Sequence, residues 1–324
     1  MATDTIIKDT IIKAAIINVT AAPSTAPNTQ RSGATSPLAA LADYWALTKP
    51  EINFLIGLAT FTGFYLGWTS RPGNFPFLLF IHTLLGTLLV ASGTGTLNQY
   101  FERVFDAQMR RTARRPLASG RMQPSSALSF GIFLSIAGAA YLAIAVNILA
   151  CLLAVFTLLS YLFIYTPLKR KTPLCTLVGA LPGAMPPLIG WAAATGRLSY
   201  EAWALYLILF LWQFPHFMAI AWMYRDDYDR AGYVVLPNGE SRFRIVTLQC
   251  ILPLLALFPV GLVPTSAAHA GILYFIGATL LGLCFFHRGT QFVLHRTHTS
   301  ARRLLVASII YLPSLFVLMI LLRG

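Results

Sequence analysis

The chain is predicted to be an all-α polytopic membrane protein with nine transmembrane helices and its N-terminus in the cytoplasm. Three observations carry that expectation. Hydrophobic residues make up 56% of the chain and charged residues only 11%, where soluble domains carry roughly 25% charge. Apolar stretches of about 16–22 residues recur from Ile52 onward, the length a helix needs to cross about 30 Å of hydrocarbon. The basic residues crowd into alternate breaks between those stretches.

Residues 1–46 read as a flexible N-terminal extension and 47–324 as the transmembrane domain. The extension is rich in Ala, Thr, Ser and Pro and has no apolar run long enough to span a bilayer. Ile6, Ile7, Ile11, Ile12, Ile16 and Ile17 give it a short amphipathic pattern. Asp4 and Asp9 argue against a mitochondrial transit peptide, and no signal-peptide cleavage pattern stands out.

The spans are expected near Ile52–Trp68, Pro76–Leu97, Ser125–Val146, Ile148–Tyr165, Leu174–Thr195, Trp203–Trp222, Ile245–Val263, Gly271–Phe286 and Leu304–Leu322. None contains Asp, Glu, Lys or Arg. Pro182, Gly183, Pro186, Pro187 and Gly190 fall in the fifth, where neighbouring helices can satisfy freed backbone groups.

Charge placement orients the bundle. Of the 24 Lys and Arg residues, only Arg71, Arg197 and Arg323 lie in the odd-numbered breaks or at the C-terminal end. The rest lie in the N-terminal segment and the even-numbered breaks, which the positive-inside tendency assigns to the cytoplasm. The net charge of +13 is thereby explained by topology and anionic lipid headgroups, and no nucleic-acid groove is indicated. Cys151, Cys175, Cys250 and Cys284 sit in or beside apolar segments without a CxxC pair, so they read as small packing residues.

Chemistry is expected where polar groups gather on one membrane face. Asn98, Glu102 and Asp106 are spaced i, i+4, i+8. On a helix they form one stripe of oxygen donors at the cytoplasmic rim, suited to Mg²⁺, which takes one or two carboxylates and completes its shell with water and phosphate. A second acidic cluster, Arg225-Asp226-Asp227-Tyr228-Asp229-Arg230, follows the sixth span on the same face. Two such clusters with basic loops nearby make a clamp for a diphosphate whose departure a metal assists. His216, flanked by Gln213 and Pro215, is the histidine placed inside a span on this half. His82 and His269 fall on the outer half, and His287, His295 and His298 in a basic loop. An ionisable group inside a membrane is a functional candidate by default.

Five strings together resemble one family. They are Asn98xxxGlu102xxxAsp106, then MxRTxxRPLxxG from Met109, YTPLKRKTPL from Tyr165, WQFPHF from Trp212 and RDDYxRAG from Arg225. They are similar to the protohaem IX farnesyltransferases of the UbiA-type intramembrane prenyltransferases, from about Leu47 to the C-terminus. RTxxRPL and WQFPHF mark the haem branch, whereas the acidic stripe marks only the superfamily. The chain departs from the superfamily in having Glu102 where Asp is usual, and Met223 four residues before Asp227 in place of an acid. Its second metal site is therefore leaner.

The resemblance implies helices around a central cavity and transfer of farnesyl from farnesyl diphosphate to a vinyl group of haem B, with water added, to give haem O. It implies Mg²⁺ on Asn98, Glu102, Asp106 and Asp227, with Asp226 beside them, and diphosphate bound by Arg111, Arg114, Arg115, Lys169 and Arg170. His216 would meet the haem iron. Phe54, Phe61, Phe64, Tyr65, Tyr161 and Tyr165 are candidate walls for an allylic cation. The expected home is the bacterial cytoplasmic membrane, and a haem A synthase is a candidate partner. A quinone or chlorophyll prenyltransferase would share the stripe without the haem-branch strings. A transporter would place its polar site near the midplane between repeats, and here the spans are uncharged.

Overall fold

The computed structural model describes residues 36–69, 73–236, 239–267 and 271–322. The isoleucine pattern of the extension, Arg71, His269 and Arg323 lie outside them. The described residues form helices α1 (Pro37–Leu47), α2 (Pro50–Trp68), α3 (Phe77–Asp106) and α4 (Pro124–Ala145). These are followed by α5 (Ile148–Leu168) and by α6 (Cys175–Gly183), α7 (Pro186–Thr195), α8 (Tyr200–Met223) and α9 (Arg225–Arg230). The last three are α10 (Glu240–Ala267), α11 (Ile272–His295) and α12 (His298–Leu321).

Eight helical segments among the described residues are long and apolar enough to cross a membrane, α6 and α7 counting together as one. The protein is therefore an integral membrane protein. The expected first span, α2, is a helix of 19 residues. Glu51, Asn53, two threonines and three glycines leave it less apolar than those eight.

Without a strong hydrophobic drive between helices in lipid, close packing has to hold them, and small residues let backbones approach. A Cβ on Gly63 of α2 would sit 2.0 Å from the Pro187 carbonyl oxygen of α7, and one on Gly190 of α7 would sit 2.0 Å from the Thr60 oxygen of α2. The same device joins α3 to α4, where Gly93 abuts Ser135 and Gly138 abuts Val90. Each helix packs on its chain neighbour, and α12 returns to touch α2, so the helices close on themselves.

Proline shapes two of them. Pro186 and Pro187 have no N–H, so the carbonyls of Pro182 and Gly183 lose their helical donors and the fifth span breaks at Ala184–Met185. Gln213 of α8 donates to the Ala180 oxygen at 3.2 Å beside that break. In α5, Pro167 likewise removes a donor, and the helix widens into a π-helical stretch over Ser160–Tyr165.

Two expected boundaries move. Helix α3 runs nine residues past Leu97, so Asn98, Glu102 and Asp106 continue a spanning helix. The expected basic loop around His287, His295 and His298 is mostly helix. His287 and His295 belong to α11 and His298 opens α12, with only left-handed Arg296 and the N-cap Thr297 between them. A hydroxyl capping box made by Thr297 and Ser300 lets the chain turn in so few residues.

Candidate functional site

The rim of α3 gathers the site. Asn98, Glu102 and Asp106 are all buried although they lie on the last two turns of the helix, and burial is costly for carboxylates unless they are paired. Each has a basic or polar partner from another element. Lys49 Nζ donates to Asn98 Oδ1 at 2.7 Å, Lys169 Nζ to Glu102 Oε1 at 2.8 Å, and Arg115 to Asp106 Oδ2 at 2.7 Å. Asn98 Nδ2 donates in turn to Thr166 Oγ1 at 3.3 Å. The π-helical stretch ends at Tyr165, so it sets the register that brings Thr166 and Lys169 to this stripe.

The second cluster joins the first through Asp227. Its carboxylate is buried, accepts the Arg111 backbone N–H at 3.2 Å and pairs with Arg230. The following loop is anchored by Val234 N–H donating to the Lys169 carbonyl at 2.7 Å. That places Tyr233 against Phe105 and under Lys169. Asp226 does not join: its side chain is 82% exposed and leans on Arg225. Helix α8 ends at Met223, and Tyr224 breaks the backbone before α9, so the two aspartates do not continue the α8 axis.

Of the five basic residues expected here, Lys169, Arg111 and Arg115 are inside the cluster. Arg114 and Arg170 are exposed, Arg170 lying over the Phe105 ring at 4.3 Å. Lys49 was not foreseen. It precedes Pro50 at the start of α2, and its positive φ of 54° directs a basic chain from the first helix into the rim. A Lys-Pro pair opening the first apolar run is the signal that could have found it. Burial, with repulsion from Arg115, pushes its pKa down to about 7 against the pull of Glu102. Burial also opposes the charge on Lys169, but Glu102 outweighs it and holds that ammonium well above its ordinary value.

The rim carries unsatisfied donors. Arg111 Nε and the Tyr233 hydroxyl are buried without a hydrogen-bond partner, and buried polar atoms normally have one. Both can donate to the oxygens of an anionic ligand. Among the described residues no three His, Cys, Asp or Glu side chains gather to hold a metal by themselves. The donor set is nevertheless all oxygen, with one amide and three buried carboxylates, which fits Mg²⁺ bound by one or two carboxylates and completed by phosphate.

The aromatic candidates divide. Phe61, Phe64 and Tyr65 interlock with Trp68, Phe75 and Phe80 in one packing knot, and Phe54 is 73% exposed on the outside. Tyr161 and Tyr165 stand 5.0 Å apart beside Lys169. His216 faces the last helix: its Nδ1 lies 2.8 Å from Ser308 Oγ and its ring stacks on Trp212 at 4.6 Å. His82 pairs with Tyr141 at 2.6 Å between α3 and α4.

The rim therefore combines buried acids, several cations and unpaired donors at the end of a helical bundle, an arrangement for holding a polyanion beside an apolar interior. Comparison with known proteins agrees. A relative from Solibacter usitatus named protoheme IX farnesyltransferase is 50% identical over 285 residues, covering 86% of this chain and 98% of the relative. In fold, the chain is similar to a digeranylgeranylglyceryl phosphate synthase (TM-score 0.69, 18% identity, 87% and 97% of the two chains). It is also similar to a UbiA homologue from Archaeoglobus fulgidus solved with GPP and Mg²⁺ (TM-score 0.55, 14% identity, 86% and 99%). The profile of the UbiA prenyltransferase family matches residues 57–316, and the chain belongs to that family.

Proposed function

We propose that the protein transfers the farnesyl group of farnesyl diphosphate to a vinyl group of haem B, with addition of water, to give haem O. The observation that carries the chemistry is the buried rim, where acids from α3 and α9 meet cations from four separate segments. The family and the Solibacter relative's name support the choice of substrates. Haem is a substrate here, and the protein acts in a bacterial cytoplasmic membrane.

In this reading Lys49, Lys169, Arg111 and Arg115 bind the diphosphate oxygens by charge-assisted hydrogen bonds, and the Tyr233 hydroxyl adds a neutral donor. Asn98, Glu102, Asp106 and Asp227 would hold Mg²⁺, which supplies charge neutralisation for the leaving diphosphate. The C1–O bond of farnesyl breaks with its electron pair departing on diphosphate. The vinyl π pair then forms the new bond to C1, and water adds to the porphyrin-side cation and gives up a proton. Tyr161 and Tyr165 present ring faces next to the rim, where a cation gains from them and gives up little to water.

The test is turnover. Asp106→Ala and Asp227→Ala are each expected to abolish haem O formation, measured by mass, while membrane insertion and purification stay normal. EDTA should silence the unaltered enzyme, and full activity in EDTA would overturn the metal-assisted clamp.

A further inference from the structure

Ser308 lies in the middle of the last helix, fully buried, in a span otherwise built of Leu, Ile, Val and Phe. Its hydroxyl makes two contacts. One is to the Leu305 carbonyl of its own helix at 2.6 Å, and the other to His216 Nδ1 at 2.8 Å. Its backbone oxygen accepts from Trp212 Nε1 at 2.8 Å, and the Trp212 ring stacks on the imidazole. Three residues thus fix one histidine between α8 and α12.

Proton counting settles the tautomer. A carbonyl oxygen only accepts, so the single serine proton is committed to Leu305. Were it turned to the imidazole instead, two bare oxygens would face each other at 2.6 Å. The serine oxygen must then accept from His216, which places the imidazole proton on Nδ1. The other ring nitrogen, Nε2, is left with its lone pair, and no described residue bonds to it. A neutral imidazole held by a hydrogen bond at Nδ1, with Nε2 bare, is the form that ligates iron, and the outer partner tunes the ligand's basicity.

We infer that Ser308 is a positioning residue for the porphyrin substrate: it locks His216 in the Nδ1–H tautomer and so presents Nε2 to the haem iron. This rests on the reading of His216 as the haem contact in the function proposed above. It explains why a buried hydroxyl occupies an apolar helix, and it gives the last helix a part in acceptor binding although no rim residue comes from it.

The experiment uses the purified full chain titrated with haem B, with the Soret band and the iron–histidine stretch of the ferrous complex as readouts. A hydrogen bond at Nδ1 makes the imidazole a stronger ligand and stiffens that stretch. Ser308→Ala removes the acceptor but keeps the backbone bond to Trp212. It is expected to lower the stretching frequency and weaken haem binding about tenfold, within the range for outer-shell partners. Ser308→Thr, which keeps a hydroxyl able to bond back into its own helix, should restore both. Farnesyl diphosphate affinity should not change in either. His216→Ala should lose the ligated Soret band and regain it with added imidazole. An unchanged stretch in Ser308→Ala, or a Thr variant as impaired as the Ala one, overturns the role of Ser308. An unchanged Soret band in His216→Ala instead overturns the histidine contact itself, whatever Ser308 does.

Discussion

Arg115 and Lys49 show how much a single side chain decides at this rim. Arg115 meets Asp106 through one guanidinium nitrogen at 2.7 Å, which leaves other donors of its planar fork for a second oxygen ligand. Arg115→Lys keeps the charge and loses the fork, so farnesyl diphosphate binding should weaken about tenfold, read by calorimetry. Equal affinity would make the arginine a topology signal only. Lys49→Met keeps the length of the chain without its charge, and should lower diphosphate affinity while leaving the haem spectrum intact. The acids of this site were legible from their spacing, because a helix repeats and i, i+4, i+8 is a face. Lys49, Thr166, Tyr233 and Ser308 were not. Each reaches its partner across a large sequence separation, and no periodic pattern records such a meeting.

At the scale of single helices, the apolar runs were readable because hydrocarbon sets a length, and the observed helices fall on them. Their ends were less so. Helix α3 carries polar residues for two turns past the expected end because those residues are buried against other segments. The hydroxyl caps that join α11 to α12 are local chemistry that hydropathy averages away. The π-helical stretch of α5 offers a direct test. Deleting Ile164 should let α5 run as a regular helix, turning everything after it by about 100°. Lys169 would leave Glu102, and turnover should fall to background while the protein still inserts, as fluorescence-detected size exclusion would report. The α2–α7 contact is as strict. Gly190→Val places side-chain carbons against the Thr60 backbone oxygen, and overpacking of this kind costs about 1–3 kcal/mol, visible as a lower melting temperature in detergent.

For the molecule as a whole, charge distribution and family agree on a bundle with one working face. The orientation can be read by labelling: Ser119→Cys should react with an impermeant maleimide only in inverted vesicles, and Arg197→Cys only in intact cells. The reverse pattern would turn the protein over. The division of the chain has a consequence in time. Every rim partner, from Lys49 to Tyr233, precedes α10, whereas the serine that fixes His216 lies in α12. At about 5–20 residues per second of synthesis, the ion pairs of the rim can close several seconds before Ser308 leaves the ribosome. A half-made chain would then already hold an allylic diphosphate and have no fixed acceptor to give it to. Completion of the last helix is the event that turns a lipid-diphosphate receptor into a transferase.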